Sequence, residues 1–167
     1  TFLIVEYGVE STDNGTLKRI NRGHTFEVAA EAIRKTASRG IRVGAHIILG
    51  LPGEEREGLI AQAGLLSSLP LTTLKLHQLQ LIKGTRMAWE YEHQPSDFRL
   101  YSADEYIDLV IDYVEHLRPD MVLERFVSQS PKEYLIAPDW GLKNFEFTHR
   151  LDNYLRSHGI CQGSLYR

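Results

Sequence analysis

Three apolar runs in the first half of the chain each stop at a cluster of glycine or polar residues, and this punctuation limits the fold more than any other feature. Phe2 to Glu10 is β-branched or apolar at most positions and reads as a buried strand that ends at Glu10-Ser11. Ile41 to Leu49 is a second strand, stopped by Gly50-Leu51-Pro52-Gly53-Glu54. Leu74 to Ile82 is a third, stopped by Gly84-Thr85. Between them lie helical patterns. Thr12 to Ile20 is a short turn-helix, and Phe26 to Arg39 carries Phe26, Ala29, Ile33 and Ala37 at helical spacing, with Thr25 as N-cap and Gly40 beyond its end. Pro52-Gly53-Glu54 opens the next helix, whose face holds Leu59, Ala63, Leu66 and Leu69. Strand–helix–strand–helix–strand predicts an α/β fold with parallel strands and right-handed crossovers. In such folds ligands are held where strands end, which is where the three clusters fall.

Beyond Arg86 the pattern changes. Trp89 to Leu100 reads as irregular and polar, and Ser102-Ala103-Asp104-Glu105 as a capping box for a helix reaching about Leu117. Met121 to Val127 is a fourth strand candidate, and a last helix is expected around Phe145 to Leu155. A chain of 167 residues with 43% hydrophobic and 25% charged residues suits one structural domain with a real core. The net charge of −3 gives no overall attraction to nucleic acid, although Lys18, Arg19 and Arg22, and Arg34, Lys35 and Arg39, form local basic clusters. No apolar stretch approaches the roughly 20 residues that span a bilayer, so no membrane partner is expected. One cysteine, Cys161, excludes an internal disulfide and a cysteine-ligated metal site made by this chain alone, and fits a cytoplasmic setting. The chain opens directly on a strand, which reads as a fragment whose exposed strand edge favours a homodimer.

Strand alternation sorts the side chains. Val43, Ala45, Ile47 and Leu49 share an apolar face, while Gly44, His46, Ile48 and Gly50 share the other. By the same rule Glu6 and Glu10 point inward from the first strand, and Lys75 and His77 from the third. An interior lined by Glu6, Glu10, His46, Lys75 and His77 is too polar for a filled hydrophobic barrel and suits a ligand cavity. Read singly, each of these residues fits a structural ion pair equally well, Glu6 with Lys75 for example. No Gly-x-Gly-x-x-Gly, Gly-Lys-Ser/Thr or His-Glu-x-x-His pattern is present, and no metal site is assigned.

The segments Val5-Glu6-Tyr7-Gly8-Val9-Glu10-Ser11, Leu17-Lys18-Arg19-Ile20-Asn21-Arg22-Gly23-His24, His46-Ile47-Ile48-Leu49-Gly50-Leu51-Pro52-Gly53-Glu54 and Leu81-Ile82-Lys83-Gly84-Thr85 together resemble the radical S-adenosylmethionine (SAM) superfamily, in particular its YhcC-type group of Fe–S oxidoreductases. The resemblance implies the C-terminal half of a partial (β/α)6 TIM-like barrel plus a C-terminal α/β extension. Residues 1–88 would supply barrel strands four to six, and residues 89–167 the last barrel helix and the extension. It also implies a cofactor set. Glu10 would hold the SAM ribose hydroxyls and Arg22 the SAM carboxylate, Ile48 and Gly50 would flank the adenine with His46 beside it, and Ser11 and Leu79 complete the set. Glu6, Lys75 and His77 would face the substrate, with no catalytic residue assigned. The family usually has Gln where Glu10 stands. A complete member reduces SAM at a [4Fe–4S] cluster held by a Cys-x-x-x-Cys-x-x-Cys loop and forms a 5′-deoxyadenosyl radical that attacks a substrate, with tRNA a candidate by family analogy. That loop is absent from this sequence, so the cluster ligands are not in this chain, which should be inert alone. Two other readings stay open: a non-radical βα-barrel enzyme with Glu6 or Glu10 and His46 as acid and base, and a non-catalytic binding module.

Overall fold

The computed structural model describes residues 2–167. Its frame is β1 (Ile4–Glu10), α1 (Asn14–Arg19), α2 (Phe26–Ala37), β2 (Arg42–Leu49), α3 (Arg56–Ser67) and β3 (Thr73–Gln78). There follow β4 (Leu81–Ile82), α4 (Arg86–His93), α5 (Ala103–Glu115), β5 (Val122–Arg125), β6 (Leu135–Ala137) and α6 (Asn144–His158). The main sheet has the order β1-β2-β3-β5 with every pairing parallel. It is the α/β fold with parallel strands that the alternating pattern predicts.

Alternation along the strands divides the sheet into two chemically different faces. Val43, Ala45, Ile47 and Leu49 of β2, with Leu74 and Leu76 of β3, are at most 1% exposed. They pack beneath α2, α3 and α5, whose Ala30, Ile33, Leu59, Ala63, Leu66, Tyr106, Val110 and Tyr113 are buried in the same core. The core is closed by Phe147 and Leu151 of α6 and by Trp140. Burying a side chain of this size contributes about 1.5–3 kcal/mol, so the helix-side face anchors the domain. The opposite face carries Glu6, His46, Lys75 and His77, brought side by side by a register that pairs Gly8 with His46, His46 with Lys75 and Ile48 with His77.

Several elements differ from the expectation. The third strand stops at Gln78 rather than running to Ile82. Gln78 donates from Nε2 to Ser128 O (2.9 Å) and accepts from Ser128 N–H (2.7 Å), so its side-chain amide replaces the backbone ladder where β5 has run out. Leu81 and Ile82 then leave the sheet and pair antiparallel with β6. The stretch from Trp89 is not irregular throughout, because α4 runs to His93 from a Thr85 cap whose Oγ1 accepts from Ala88 N–H (3.2 Å). Its apolar stripe is too short to stand out in sequence. Thr25 occupies the N-cap of α2 without capping it; Asn14 Oδ1 accepts the Phe26 N–H instead (2.8 Å). Helix α3 begins at Arg56, after the Pro52-Gly53 turn. The Ser102–Glu105 capping box forms as expected. Among the described residues no helix is long and apolar enough to cross a membrane.

Gly50 ends β2 with φ +89°, and a Cβ there would lie 3.1 and 3.3 Å from the buried Tyr101 ring. Gly40 has φ +74° with nothing within 4 Å of a Cβ. Gly40→Ala should therefore cost only the left-handed backbone, about 1–2 kcal/mol. Gly50→Ala should cost more, because the Tyr101 ring must also give way. Denaturant unfolding of both variants checks this ordering, and equal losses would contradict it.

Candidate functional site

The C-terminal ends of β1, β2 and β3 converge, and each contributes through a local feature of its sequence. At the end of β1 the pairing shifts between Gly8 and Glu10, and Glu10 takes a left-handed φ of 68°. The Arg22 guanidinium reaches back to this turn. It donates from Nη2 (2.5 Å) and Nε (3.2 Å) to Gly8 O and lies 3.9 Å from Glu10 Oε1. A Cβ on Gly8 would stand 2.5 Å from Glu10 Oε1 and 2.8 Å from Arg22 Nη2, so this latch closes only over glycine.

Glu10 borders a cavity of about 480 Å³ whose walls include Ile48, Leu79, Met87, His77 and Ser128. The walls are mostly apolar with a few polar groups, the usual composition of a small-molecule site. Burial raises the Glu10 carboxyl above its ordinary range, and the Arg22 charge opposes that rise. A second, more polar cavity of about 460 Å³ adjoins it, sharing Gln78, Gln80 and Ser128 and adding Ser130, Lys132, Trp140 and Lys143.

Next to the first cavity the inner face of the sheet forms one connected polar cluster. Lys75 bonds Glu6 Oε1 on one side and stands 3.1 Å from Glu124 Oε2 on the other. Glu6 Oε2 is 3.1 Å from His46 Nε2, and His46 Nδ1 is 3.2 Å from His77 Nε2, with the two ring planes 17° apart. His77 Nδ1 in turn bonds Ser128 Oγ. The Lys75 hydrogen bond, then the one to His46, hold the Glu6 carboxyl below its usual value, while the Glu6 bond holds Lys75 above its own. His77 is pushed down to about 4, first by burial and then by His46, Arg125 and Lys75.

The residues singled out in sequence divide accordingly. Glu10, Ile48, Leu79 and His77 line the cavity. Arg22 sits behind Glu10, while Glu6, His46 and Lys75 form the cluster beside it. Ser11 is buried and donates to Glu54 Oε1 (2.6 Å), and Gly50 packs against Tyr101. Two groups were missed. Glu54 accepts from Ser11, from Leu51 N–H (3.1 Å) and from Gln62 Nε2 (3.2 Å), tying the end of β1 to the turn after β2; a carboxylate directly after Pro-Gly was its only signal. Ser128 lies 51 positions from its partner His77 and has no local signal at all. Cys161 is the single thiol and is exposed, which does not fit a [4Fe–4S] cluster needing several thiolates. Among the described residues no three His, Cys, Asp or Glu side chains are placed to hold a metal.

Comparison with known proteins places this geometry in context. Residues 2–62 match the family model of the radical SAM superfamily, and residues 71–157 that of the radical SAM C-terminal domain. YtqA of Bacillus subtilis is 35% identical over the whole chain, and YhcC of Escherichia coli K12 is 29% identical over 96% of it. In each case the chain spans 51% of the relative. The tRNA uridine(34) acetyltransferase of Methanocaldococcus jannaschii is 23% identical over 93% of the chain and 28% of its own length. The solved structure of Methanocaldococcus infernus Elp3 superposes with a TM-score of 0.81 at 20% identity, covering 96% of this chain and 37% of that one.

The buried acids and bases predict how stability depends on pH. Burial lifts the Glu54 carboxyl from 4.5 to about 7, against its hydrogen bonds. The folded protein keeps the Glu54 proton where the unfolded chain has lost it, so stability from this group falls as pH rises from 4.5 to about 7. His77 acts in the opposite sense: between about 4 and 6.5 only the unfolded imidazole binds a proton, so stability rises with pH there. Glu54→Gln leaves the His77 slope alone. It removes the falling contribution of Glu54, so its stability should gain on wild type by something on the order of 3 kcal/mol between pH 5 and pH 8. Urea unfolding at several pH values checks this, and parallel pH profiles for the two proteins would refute it.

Proposed function

The chain belongs to the radical SAM family, and we propose that its cavity at the ends of β1, β2 and β3 holds the adenosyl part of S-adenosylmethionine. The observation that carries this reading is the latch of Gly8, Glu10 and Arg22 at the rim of an apolar slot. Ile48 and Leu79 offer flat contact to an adenine ring, and the Glu10 carboxylate accepts from the two ribose hydroxyls. The Arg22 fork, already bonded to Gly8 O through Nε and Nη2, keeps Nη1 for a ligand carboxylate. Ser11 and Gly50 shape the backbone of the site from behind, and His46 supports His77 at its wall. When bound and reduced at an iron–sulfur cluster, SAM supplies a carbon radical that removes a hydrogen atom from a substrate.

The cluster ligands lie outside this chain in this reading, supported by its single cysteine and by its spanning about half of YtqA and YhcC. Residues 1–88 then furnish strands four to six of a partial barrel, and residues 89–167 the last helix and an extension, in a cytoplasmic enzyme. The adjoining polar cavity is the place for the substrate. Transfer RNA enters only through the similarity to the Methanocaldococcus jannaschii enzyme. Of the six residues in the local basic clusters, Arg19 pairs with Asp97, Arg22 bonds Gly8 O and Lys35 pairs with Glu31.

Calorimetric titration of SAM tests the site. Arg22→Ala should weaken binding by about 1.5–3 kcal/mol, the value of a hydrogen bond to a charged group, with Arg22→Lys recovering only part. Glu10→Ala should weaken it too, whereas Lys143→Ala, in the second cavity, should not. Arg22→Ala and Glu10→Ala binding SAM as wild type does would remove the assignment. After anaerobic reconstitution with iron and sulfide, this chain alone should yield no 5′-deoxyadenosine. Its formation together with a stoichiometric cluster would overturn the view that the ligands lie elsewhere.

A further inference from the structure

Four side chains on the inner face form an unbroken hydrogen-bonded series whose ends open on different surroundings. Ser128 lines the cavity, and its Oγ bonds His77 Nδ1. His77 Nε2 is 3.2 Å from His46 Nδ1, and His46 Nε2 is 3.1 Å from Glu6 Oε2. The Glu6 side chain is a third exposed, so its carboxylate meets solvent. We propose that Ser128, His77, His46 and Glu6 are a proton-transfer chain that takes a proton from a hydroxyl, ammonium or amide group of a ligand in the cavity and releases it to water at Glu6.

The direction follows from which groups can donate. An ionised carboxylate only accepts, so a neutral His46 carries its hydrogen on Nε2, leaving Nδ1 as acceptor. His77 must then donate from Nε2, which leaves its Nδ1 to accept from the Ser128 hydroxyl. Ser128 therefore gives its hydrogen to His77 and keeps its lone pairs for another donor. A ligand O–H or N–H placed against Ser128 Oγ finds an acceptor there. Transfer conserves every proton: the ligand hydrogen binds Ser128 Oγ as the serine hydrogen passes to His77 Nδ1. The His77 Nε2 hydrogen then moves to His46 Nδ1, and the His46 Nε2 hydrogen to Glu6 Oε2, from which water removes it. No electron changes hands.

The surrounding charges favour passage over storage. Lys75 and Arg125 face His77, and Lys75 with Glu124 faces Glu6. The cations and the burial of His77 disfavour an imidazolium there, and Lys75 keeps Glu6 ionised and ready to shed a proton. The proposal rests on the cavity being a ligand site, as above, but the arrangement of hydrogens can be measured without any ligand. A failure of SAM to bind therefore leaves this test standing, and the reverse also holds.

The test is ¹⁵N NMR of the imidazole nitrogens in this chain, with assignments from His46→Asn and His77→Asn. Both rings should show a protonated Nε2 and a bare Nδ1 at neutral pH. Glu6→Gln replaces the pure acceptor with an amide that can also donate. It should admit the reversed series, so that Nδ1–H appears at His77 as well as at His46, two links away. Exchange of the His77 Nε2 hydrogen with water should slow severalfold in Glu6→Gln, because the outlet is closed. A static polar cluster predicts an unchanged or faster exchange once a hydrogen bond is weakened, and that result would overturn the proposal. So would a His77 that carries its hydrogen on Nδ1 in the wild-type protein, a measurement that stands even if Glu6→Gln does not fold.

Discussion

Lys75 of β3 stands between two carboxylates, Glu124 of the adjacent β5 and Glu6 of β1, which lies one strand further off beyond β2, and the inner face of the sheet depends on that arrangement. A lone ammonium on a sheet otherwise walled by packed side chains would lose much of its hydration without compensation. Here two anions satisfy it, and Glu6 is left with a second oxygen for His46. The shared cation thus ties β1 to β3 across β2, and reinforces the pairing of β3 with β5. Because the pair is partly solvated, its worth lies less in stability than in holding Glu6 where His46 can reach it.

The division of the sheet into two faces could be read from the sequence because alternation is a strictly local rule. Val43, Ala45, Ile47 and Leu49 fall on one side and His46 on the other whatever the rest of the chain does, and the same holds for Leu74, Leu76, Lys75 and His77. What escaped that rule are contacts between distant positions. Gln78 ends its strand by bonding the backbone of Ser128, and Ser11 turns from the cavity to a carboxylate 43 residues on. Nothing near either residue announces its partner. The third strand is shorter than its apolar run suggests for that reason. Helix α4 was missed on different grounds, its eight residues being too few for periodicity to separate from a polar loop.

Glu54 gives the two glycine-bearing turns a common support. One oxygen takes the Ser11 hydroxyl and the Gln62 amide, and the other takes the Leu51 N–H, so the turn after β1, the turn after β2 and helix α3 meet at a single carboxyl group. The rim of the cavity is therefore braced from beneath by a group that never touches its contents. Arg22 also holds the end of β1, through the Gly8 carbonyl.

The two-faced sheet also governs which kinds of genetic change this domain can absorb. Replacing one inner residue alters one link and leaves its neighbours in place. Deleting or inserting one codon within β2 turns every residue beyond it to the opposite side. Such a change would drive His46 into the helix-packed core and lift Ala45 or Ile47 among the charges, ruining both layers together. Length variation in descendants of this sequence should thus collect in exposed connections such as residues 94–97, while the strands diverge by substitution alone.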